Sequence, residues 1–100
     1  MYISRLSFHT IPGKTAEAEK ALRELQKMVT GAGAKPRVLH THFASLGAPD
    51  IVFEQEIEDL AGFEAQLKKL ADNKAFQSWT KKISPLLRES PKRELYLVAE

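Results

Sequence analysis

The chain has 100 residues, 43% of them hydrophobic and 28% charged, and a formal net charge of +2. This length predicts one domain over residues 1–100, and the ordinary composition excludes intrinsic disorder, collagen-like repeats and low-complexity structure. Cysteine is absent, which excludes disulfides, cysteine-ligated zinc, iron–sulfur clusters and thiol catalysis. No apolar run approaches the roughly 20 residues of a membrane span, and no signal peptide is recognisable. We therefore expect a cytoplasmic protein.

The first third of the chain predicts a strand and then a helix. Residues 2–11 alternate between two faces, which is typical of a strand, and Pro12-Gly13 would end it. Across residues 15–30 the apolar residues recur at the spacing of one helical face. Gly31 and Gly33 can end this helix, because glycine tolerates the left-handed conformation of a helix C-terminus.

The middle of the chain predicts a hairpin. Residues 37–45 alternate again, and so do residues 51–57. The turn-forming sequence Gly47-Ala48-Pro49-Asp50 lies between them. Two strands joined by a short loop are expected to pair antiparallel.

The last part of the chain predicts further helix and a closing strand. Asp59 suits the N-cap of a second amphipathic helix, which Asp72-Asn73 interrupts. The helical period then continues over residues 75–87, although Pro85 should bend or end it. Residues 93–99 alternate and predict the final strand. The order β-α-β-β-α-β, with the second helix broken in two, predicts an α+β, ferredoxin-like fold with a four-stranded antiparallel sheet and helices on one face.

Helices on one side leave the other face of the sheet uncovered. We expect the helix-facing strand residues to be Leu6, Phe8, Leu39, Phe43, Phe53, Ile57, Leu95 and Leu97. The open face would then carry Ile3, Arg5, Ser7, His9, Val38, His40, His42, Val52, Glu54, Glu56, Tyr96 and Val98. A homodimer that pairs two sheets would bury the apolar members of this second set, whereas a monomer would leave them partly in water.

Three histidines are the main candidates for chemistry on the predicted open face. His40 and His42 are two residues apart on one strand, so their side chains should point the same way, and His9 shares that face. A polar cluster is therefore predicted from Arg5, His9, His40, His42, Glu54 and Glu56.

Three interpretations of this cluster stay open. In one, His40, His42 and Glu54 hold a divalent metal, since two imidazoles and a carboxylate suit zinc or iron. In another, the three histidines are catalytic acids or bases beside a small substrate that Arg5, Glu54 and Tyr96 help to bind. In the third, Arg5 pairs with Glu54 or Glu56 and the histidines are satisfied by hydrogen bonds at an interface.

Other conspicuous residues favour structural roles. Phe76 and Trp79 fall on the core side of their helix, with a pocket wall as the alternative. The basic residues late in the chain are interleaved with acidic ones and lack exposed aromatic companions, so a solvated surface is expected rather than a nucleic-acid patch. These are Lys68, Lys69, Lys81, Lys82, Arg88, Lys92 and Arg93. Neither a nucleic-acid nor a membrane partner is expected.

Three segments carry a resemblance to a known family. They are Ile11-Pro12-Gly13-Lys14, Asp59-Leu60-Ala61-Gly62-Phe63, and Asn73-Lys74-Ala75-Phe76-Gln77-Ser78-Trp79 followed by Ile83-Ser84-Pro85-Leu86. With them the chain resembles the dimeric α+β barrel superfamily, in particular its NIPSNAP-like and antibiotic-biosynthesis-monooxygenase-like small proteins. The resemblance implies ferredoxin-like subunits whose sheets pair in a homodimer. It also implies a cleft between sheet and helices, in which some relatives bind or oxidise small molecules.

The function expected from residues and resemblance together is small-molecule binding by a homodimer. A cofactor-independent oxygenase or a proton-transfer enzyme that uses the histidines would be the reaction class. The alternatives are a non-catalytic structural or protein-interaction dimer and a metal-binding protein. No cofactor is expected, with a divalent metal or haem as the alternatives. The haem-degrading relatives share an Asn, a Trp and a His, and here Trp79 lacks an Asn/His pair at their spacing.

Overall fold

A computed structural model describes residues 1–30 and 35–100. The helix end predicted at Gly31 and Gly33 lies outside the described residues. The elements in chain order are β1 (Tyr2–Phe8), α1 (Thr15–Thr30), β2 (Pro36–His40), β3 (Ile51–Ile57), α2 (Leu60–Ala71), α3 (Lys74–Ile83), a short 3-10 turn (Ser84–Leu86) and β4 (Lys92–Leu97). Among the described residues, no helix has both the length and the apolar character needed to cross a membrane.

The four strands form one antiparallel sheet in the order β2-β3-β1-β4. The central pair places Arg5 opposite Glu54, and β1 also pairs with β4, which places Ser4 opposite Leu95. The prediction of an α+β, ferredoxin-like fold is confirmed.

The core lies between the sheet and α1. This helix buries Ala18, Ala21, Leu22, Leu25 and Val29, which recur at the three- and four-residue spacing of one helical face. They pack with Phe8, Ile51, Phe53, Trp79 and Ile83 in one cluster. Full burial of a leucine such as Leu22 stabilises the fold by about 2 kcal/mol. In contrast, α2 buries only Phe63, so it covers the sheet more loosely than α1 does.

α2 and α3 are two separate helices, each with its own N-cap. The Asp59 carboxylate accepts hydrogen bonds from the backbone N–H groups of Ala61 and Gly62. The Asn73 side chain accepts one from the Phe76 backbone N–H, at 3.1 Å. Each cap satisfies N–H groups that a helix start leaves without a partner, so the chain turns between the two helices at little cost. Pro85 lies in the 3-10 turn that follows α3.

The predicted faces of β2 are wrong. Val38 lies opposite the buried Phe53 and therefore faces the helices, whereas Leu39 lies opposite Val52 on the open face. His40 lies opposite the buried Ile51, so it too is on the helix side and not on the open face. Both faces of this short strand carry one aliphatic residue, so alternation alone does not distinguish them.

Several strand ends also differ from the prediction. β2 ends at His40 and not at Ser45, and Phe43 is 90% exposed in the following loop instead of facing the core. β1 ends at Phe8, beyond which Thr10 forms only an isolated bridge with Leu87. The loops that follow β1 and β2 form side-chain hydrogen bonds of their own. Their polar backbone groups therefore do not depend on pairing within the sheet.

The faces predicted for Leu95 and Leu97 of β4 are correct. Leu95 and Leu97 lie opposite Ser4 and Tyr2 on the helix side, as expected. They are nevertheless 48% and 66% exposed, because α2 does not cover this edge of the sheet closely.

Candidate functional site

The open face of the sheet is built around a buried carboxylate. Glu54 on β3 is 2% exposed and lies between two arginines from the neighbouring strands. Arg5 Nε donates to Glu54 Oε1 at 2.8 Å, and Arg37 Nε donates to Oε2 at 2.6 Å. A second nitrogen of Arg37, Nη2, forms an ion pair with the same Oε2. Of the two partners considered for Arg5, Glu54 and Glu56, the structure has Glu54, and the contribution of Arg37 was not predicted.

Arg5 and Arg37 stabilise the ionised form of the Glu54 carboxylate. Burial raises the pKa of this carboxyl, but the hydrogen bonds from Arg5 and Arg37 outweigh burial and hold the pKa below its ordinary value of 4.5. Arg37 follows from the register, since it lies directly opposite Glu54. The wrong face assigned to β2 concealed it.

Tyr96 extends this network toward the β4 edge. Its hydroxyl donates to Glu94 Oε2 at 2.7 Å, and the Arg5 guanidinium lies 5.6 Å from its ring centroid. The hydrogen bond to Glu94 raises the pKa of Tyr96, and burial and the Glu94 charge add to that rise. A shallow depression of about 220 Å³ is lined by Ile3, Arg5, Tyr96 and Val98. Of the predicted substrate-binding residues, Arg5, Glu54 and Tyr96 thus form one connected network.

The histidines lie apart from that network and from one another. His40 Nδ1 is 3.2 Å from Glu19 Oε1 of α1, on the helix side of the sheet. His42 is exposed in the loop after β2, where its ring contacts Phe43 edge-on. Within residues 1–30 and 35–100, no hydrogen bond or ion pair joins any two of the three histidines.

His9 is buried just beyond β1 and connects two loops. It is 7% exposed, and its Nε2 donates to the Gly47 carbonyl oxygen at 3.1 Å. Its Nδ1 lies 3.1 Å from Glu89 Oε1, close enough for an ion pair but without hydrogen-bond geometry. The predicted cluster of three histidines with Arg5, Glu54 and Glu56 is not brought together, because His40 lies on the helix side, His42 lies in the loop after β2 and His9 is bonded between two loops.

The metal set predicted from His40, His42 and Glu54 is not assembled. His40 and Glu54 lie on opposite faces of the sheet, as their strand partners Ile51 and Arg37 show. In the part of the chain that the structure describes, no group of three or more His, Cys, Asp or Glu side chains could hold a metal ion.

A cavity of about 220 Å³ lies between the helix side of the sheet and helices α1, α2 and α3. Its lining is mostly apolar and comprises Leu6, Leu25, Val29, Phe53, Gln55, Leu67, Leu70, Ala71, Phe76, Trp79 and Arg93. The rings of Phe76 and Trp79 stack at 5.7 Å between centroids and form an aromatic wall. A mostly apolar cavity with a few convergent polar groups is the usual form of a small-molecule site.

Arg93 is the charged group in this lining. Its Nη1 donates to the buried Ser4 hydroxyl at 2.7 Å, and its guanidinium lies 5.5 Å from the Phe63 ring centroid. The residue is exposed as a whole, since the cavity admits solvent, yet burial lowers the pKa of its guanidinium. Among the described residues, no carboxylate forms an ion pair with Arg93.

Arg93 was predicted to be one of the solvated basic residues, and its place in the cavity lining was not predicted. A signal was present, because Arg93 has the same parity as Leu95 and Leu97, which were predicted to face the helices. A cation on the helix-facing side of a strand is unusual and marks a position of functional interest.

A larger depression of about 310 Å³ lies beside α2, lined by Met28, Gly62, Ala65, Gln66, Lys69, Leu70 and Asn73. It contains no aromatic ring and no carboxylate or histidine. The smaller cavity combines an apolar lining and an aromatic wall with one hydrogen-bonded guanidinium, so we take it as the candidate site.

Known proteins resemble the chain in structure and not in sequence. No family model matches the sequence, and no curated protein is similar to it. In contrast, several solved structures match nearly the whole chain.

An uncharacterised NIPSNAP domain protein from Burkholderia xenovorans matches with a TM-score of 0.79 at 21% identity, over 99% of this chain and 95% of its own. A candidate antibiotic biosynthesis monooxygenase from Bordetella bronchiseptica matches with a TM-score of 0.73 at 17% identity, over 99% and 97%. A NIPSNAP family protein from Agrobacterium tumefaciens gives 0.71 at 18% identity, over 99% and 93%. At these identities the likeness establishes the architecture: the chain has the ferredoxin-like fold of the NIPSNAP and antibiotic-biosynthesis-monooxygenase-like proteins.

Proposed function

We propose that this protein is a homodimer that binds a small molecule in the cavity between its sheet and its helices. The observation that carries the proposal is the cavity itself, which is apolar, has an aromatic wall of Phe76 and Trp79 and contains one charged side chain, Arg93. Because the cavity admits solvent, a small molecule can enter it and exchange water for contact with the apolar lining. The proposal includes a cytoplasmic location, since a small domain without cysteine is suited to a reducing compartment.

The homodimer is supported by the open face of the sheet. Leu39, Tyr96 and Val98 on this side are 36%, 44% and 37% exposed, and all of β4 is exposed. Apolar side chains in this number on one face favour burial against another surface. Two such sheets packed face to face would remove them from water and enclose the Arg5–Glu54–Arg37 network.

The reaction class is narrowed by the composition of the cavity wall. A proton-transfer enzyme needs an acid or base within hydrogen-bond reach of the substrate. Among the described residues that line the cavity, none is His, Asp or Glu. The name of the Bordetella bronchiseptica protein suggests an oxygenase class instead. The histidines predicted to be catalytic have no role in this proposal.

A binding screen tests the cavity directly. The purified protein is screened by thermal shift against small aromatic and acidic metabolites, and each hit is repeated with Ala71→Leu. Ala71 lines the cavity at the end of α2, so the larger side chain should fill it and abolish the shift. The matched control is Ala61→Leu, an exposed alanine of the same helix outside the cavity lining, which should keep the shift.

The rise in Tm and its loss in Ala71→Leu decide the outcome of the screen. A ligand at 100-fold excess over its Kd should stabilise the protein by about 2.7 kcal/mol, enough to raise the Tm of a chain of this size by several degrees. Shifts that survive Ala71→Leu would place binding elsewhere and overturn the proposal.

A second candidate function, a non-catalytic interaction dimer, is favoured by one observation. Phe43 and Leu46 are 90% and 105% exposed in the loop between β2 and β3, where a partner protein could cover them. If no compound shifts the Tm while Phe43→Ser abolishes capture of one defined protein partner, this candidate replaces the first.

A further inference from the structure

We infer that the sheet–helix cavity selects small aromatic carboxylates, with the Arg93 guanidinium binding the carboxylate and the Phe76–Trp79 wall contacting the ring. This inference rests on the proposed function, since it names the chemical class of ligand for the same cavity. It is carried by the contrast between Arg93 and the other arginines of the sheet, and by the shape and lining of the cavity.

The sheet holds three arginines in two different situations. Arg5 and Arg37 share the carboxylate of Glu54 on the open face, so each of them already has an acidic partner. Arg93, on the opposite face, has one hydrogen bond to the neutral hydroxyl of Ser4 and one aromatic ring, Phe63, beneath its guanidinium. The only charge in the cavity lining is therefore positive and has no acidic partner among the described residues.

A carboxylate ligand would supply the acidic partner that Arg93 lacks among the described residues. A guanidinium has five N–H donors in a planar fork, and one of them is used by Ser4. The remaining donors can bind both oxygens of a carboxylate, which is the strongest common hydrogen-bonded pair in proteins. Because burial lowers the pKa of Arg93, an incoming negative charge would also offset the cost of desolvating the cation.

The rest of the cavity defines the body of the ligand. Its volume of about 220 Å³ is below the roughly 300 Å³ at which sites for drug-sized ligands begin, so a single ring fits better than a polycyclic compound. Phe76 and Trp79 stack nearly parallel, at 21°, and offer flat aromatic surface. The Trp79 indole N–H is already used by the Ala21 carbonyl, so this wall can recognise a ring but donates no hydrogen bond to it.

The test compares benzoate with benzamide, which has nearly the same shape without the charge. Binding of each to the native protein is measured by calorimetry, and the fluorescence of Trp79, the only tryptophan, reports occupancy of the cavity. We expect benzoate to bind at least about ten-fold more tightly than benzamide, as a charge-assisted bidentate pair provides. Arg93→Gln should remove this preference.

Lys92→Gln is the matched control. It removes the same charge one residue earlier, but Lys92 lies opposite Ser7 on the other face of the sheet, so the preference for benzoate should remain. Arg93→Lys keeps the charge without the fork and should weaken benzoate binding several-fold while leaving benzamide binding unchanged.

The outcomes separate the two proposals. Equal affinities for benzoate and benzamide in the native protein would overturn the carboxylate inference and leave the binding cavity in place. If neither compound binds or changes Trp79 fluorescence, the inference fails, and the metabolite screen with Ala71→Leu then decides the proposed function by itself. If Arg93→Gln does not fold, the comparison of the two compounds on the native protein and on Arg93→Lys still decides whether the charge is recognised.

Discussion

The indole N–H of Trp79 donates a buried hydrogen bond of 2.6 Å to the backbone carbonyl oxygen of Ala21. The two residues belong to α3 and α1, so one hydrogen bond joins the helix that forms the aromatic wall to the helix that forms the core. Trp79 is 6% exposed and packs in the main hydrophobic cluster as well as lining the cavity. Trp79 is therefore both a core residue and part of the pocket wall, which were predicted as alternatives.

Trp79→Phe should therefore destabilise the fold. The substitution removes the hydrogen bond and part of the buried volume, and we expect the free energy of unfolding to fall by about 1–3 kcal/mol. Urea unfolding followed by circular dichroism measures this without relying on the lost tryptophan. Phe76→Leu, a half-buried neighbour with no side-chain hydrogen bond to lose, should cost about 1 kcal/mol. Equal losses in the two variants would contradict a role for the hydrogen bond.

Glu54→Gln should weaken the sheet in a pH-dependent way. Arg5 and Arg37 hold the folded pKa of Glu54 below 4.5, so its contribution is complete above the unfolded pKa and is lost as the pH falls through the folded value. At pH 7 the variant should be about 1–2 kcal/mol less stable, a modest figure because the two arginines are 47% and 64% exposed. The difference from the native protein should shrink as the pH is lowered toward 3.

Urea unfolding at pH 7 and at pH 3.5 measures the effect, with Glu56→Gln as control. Glu56 is exposed on the same face of the same strand and has no ion pair among the described residues. Its variant should stay within about 0.5 kcal/mol of the native protein at both values. A Glu54→Gln deficit that does not depend on pH would argue against the ionised carboxylate as the cause.

Leu39→Glu should separate the proposed homodimer. Leu39 lies on the open face opposite Val52, and a carboxylate there would be forced into a sheet-to-sheet interface without a partner. Light scattering after size exclusion should give about twice 11.2 kDa for the native protein and 11.2 kDa for the variant. The control variant Leu46→Glu, in the exposed loop before β3, should have the same mass in solution as the native protein. A native protein that is monomeric at micromolar concentration would refute the dimer.

The histidines should differ in their effect on stability. His9 is buried and bonded to Gly47, so His9→Ala should cost about 1–3 kcal/mol by removing that bond and leaving a void. The His40 side chain is 59% exposed beside Glu19, so His40→Ala should change the free energy of unfolding by less than about 0.5 kcal/mol. Thermal unfolding compares the two variants. Loss of ligand binding in His40→Ala would instead favour the predicted place of His40 beside a small substrate.

Periodicity predicted the fold well, because each element has a strong local signal. The apolar spacing of α1, the N-cap Asp59, the interruption at Asp72-Asn73 and the alternation of β1 and β3 depend only on neighbouring residues. The pairing of Arg5 with Glu54 or Glu56 was one of three interpretations, since all three residues were expected on the open face, and the strand register selects Glu54. Local pattern and global architecture agree in these elements, and the prediction was correct there.

The candidate site was decided by tertiary structure. In β2, Val38 and Leu39 are equally apolar, so only the pairing of Val38 with Phe53 and of Arg37 with Glu54 determines which side faces the helices. Because the two faces of β2 are the reverse of those predicted, His40 lies beside α1 and Arg37 lies on the open face. Arg93 shows the same limit, because its strand parity is visible in the sequence but the cavity around it is not. The sequence by itself determined the elements and their order, through local periodicity and capping. Which side chains meet was decided by strand register and by how loosely α2 packs, since both depend on contacts between residues far apart in the chain.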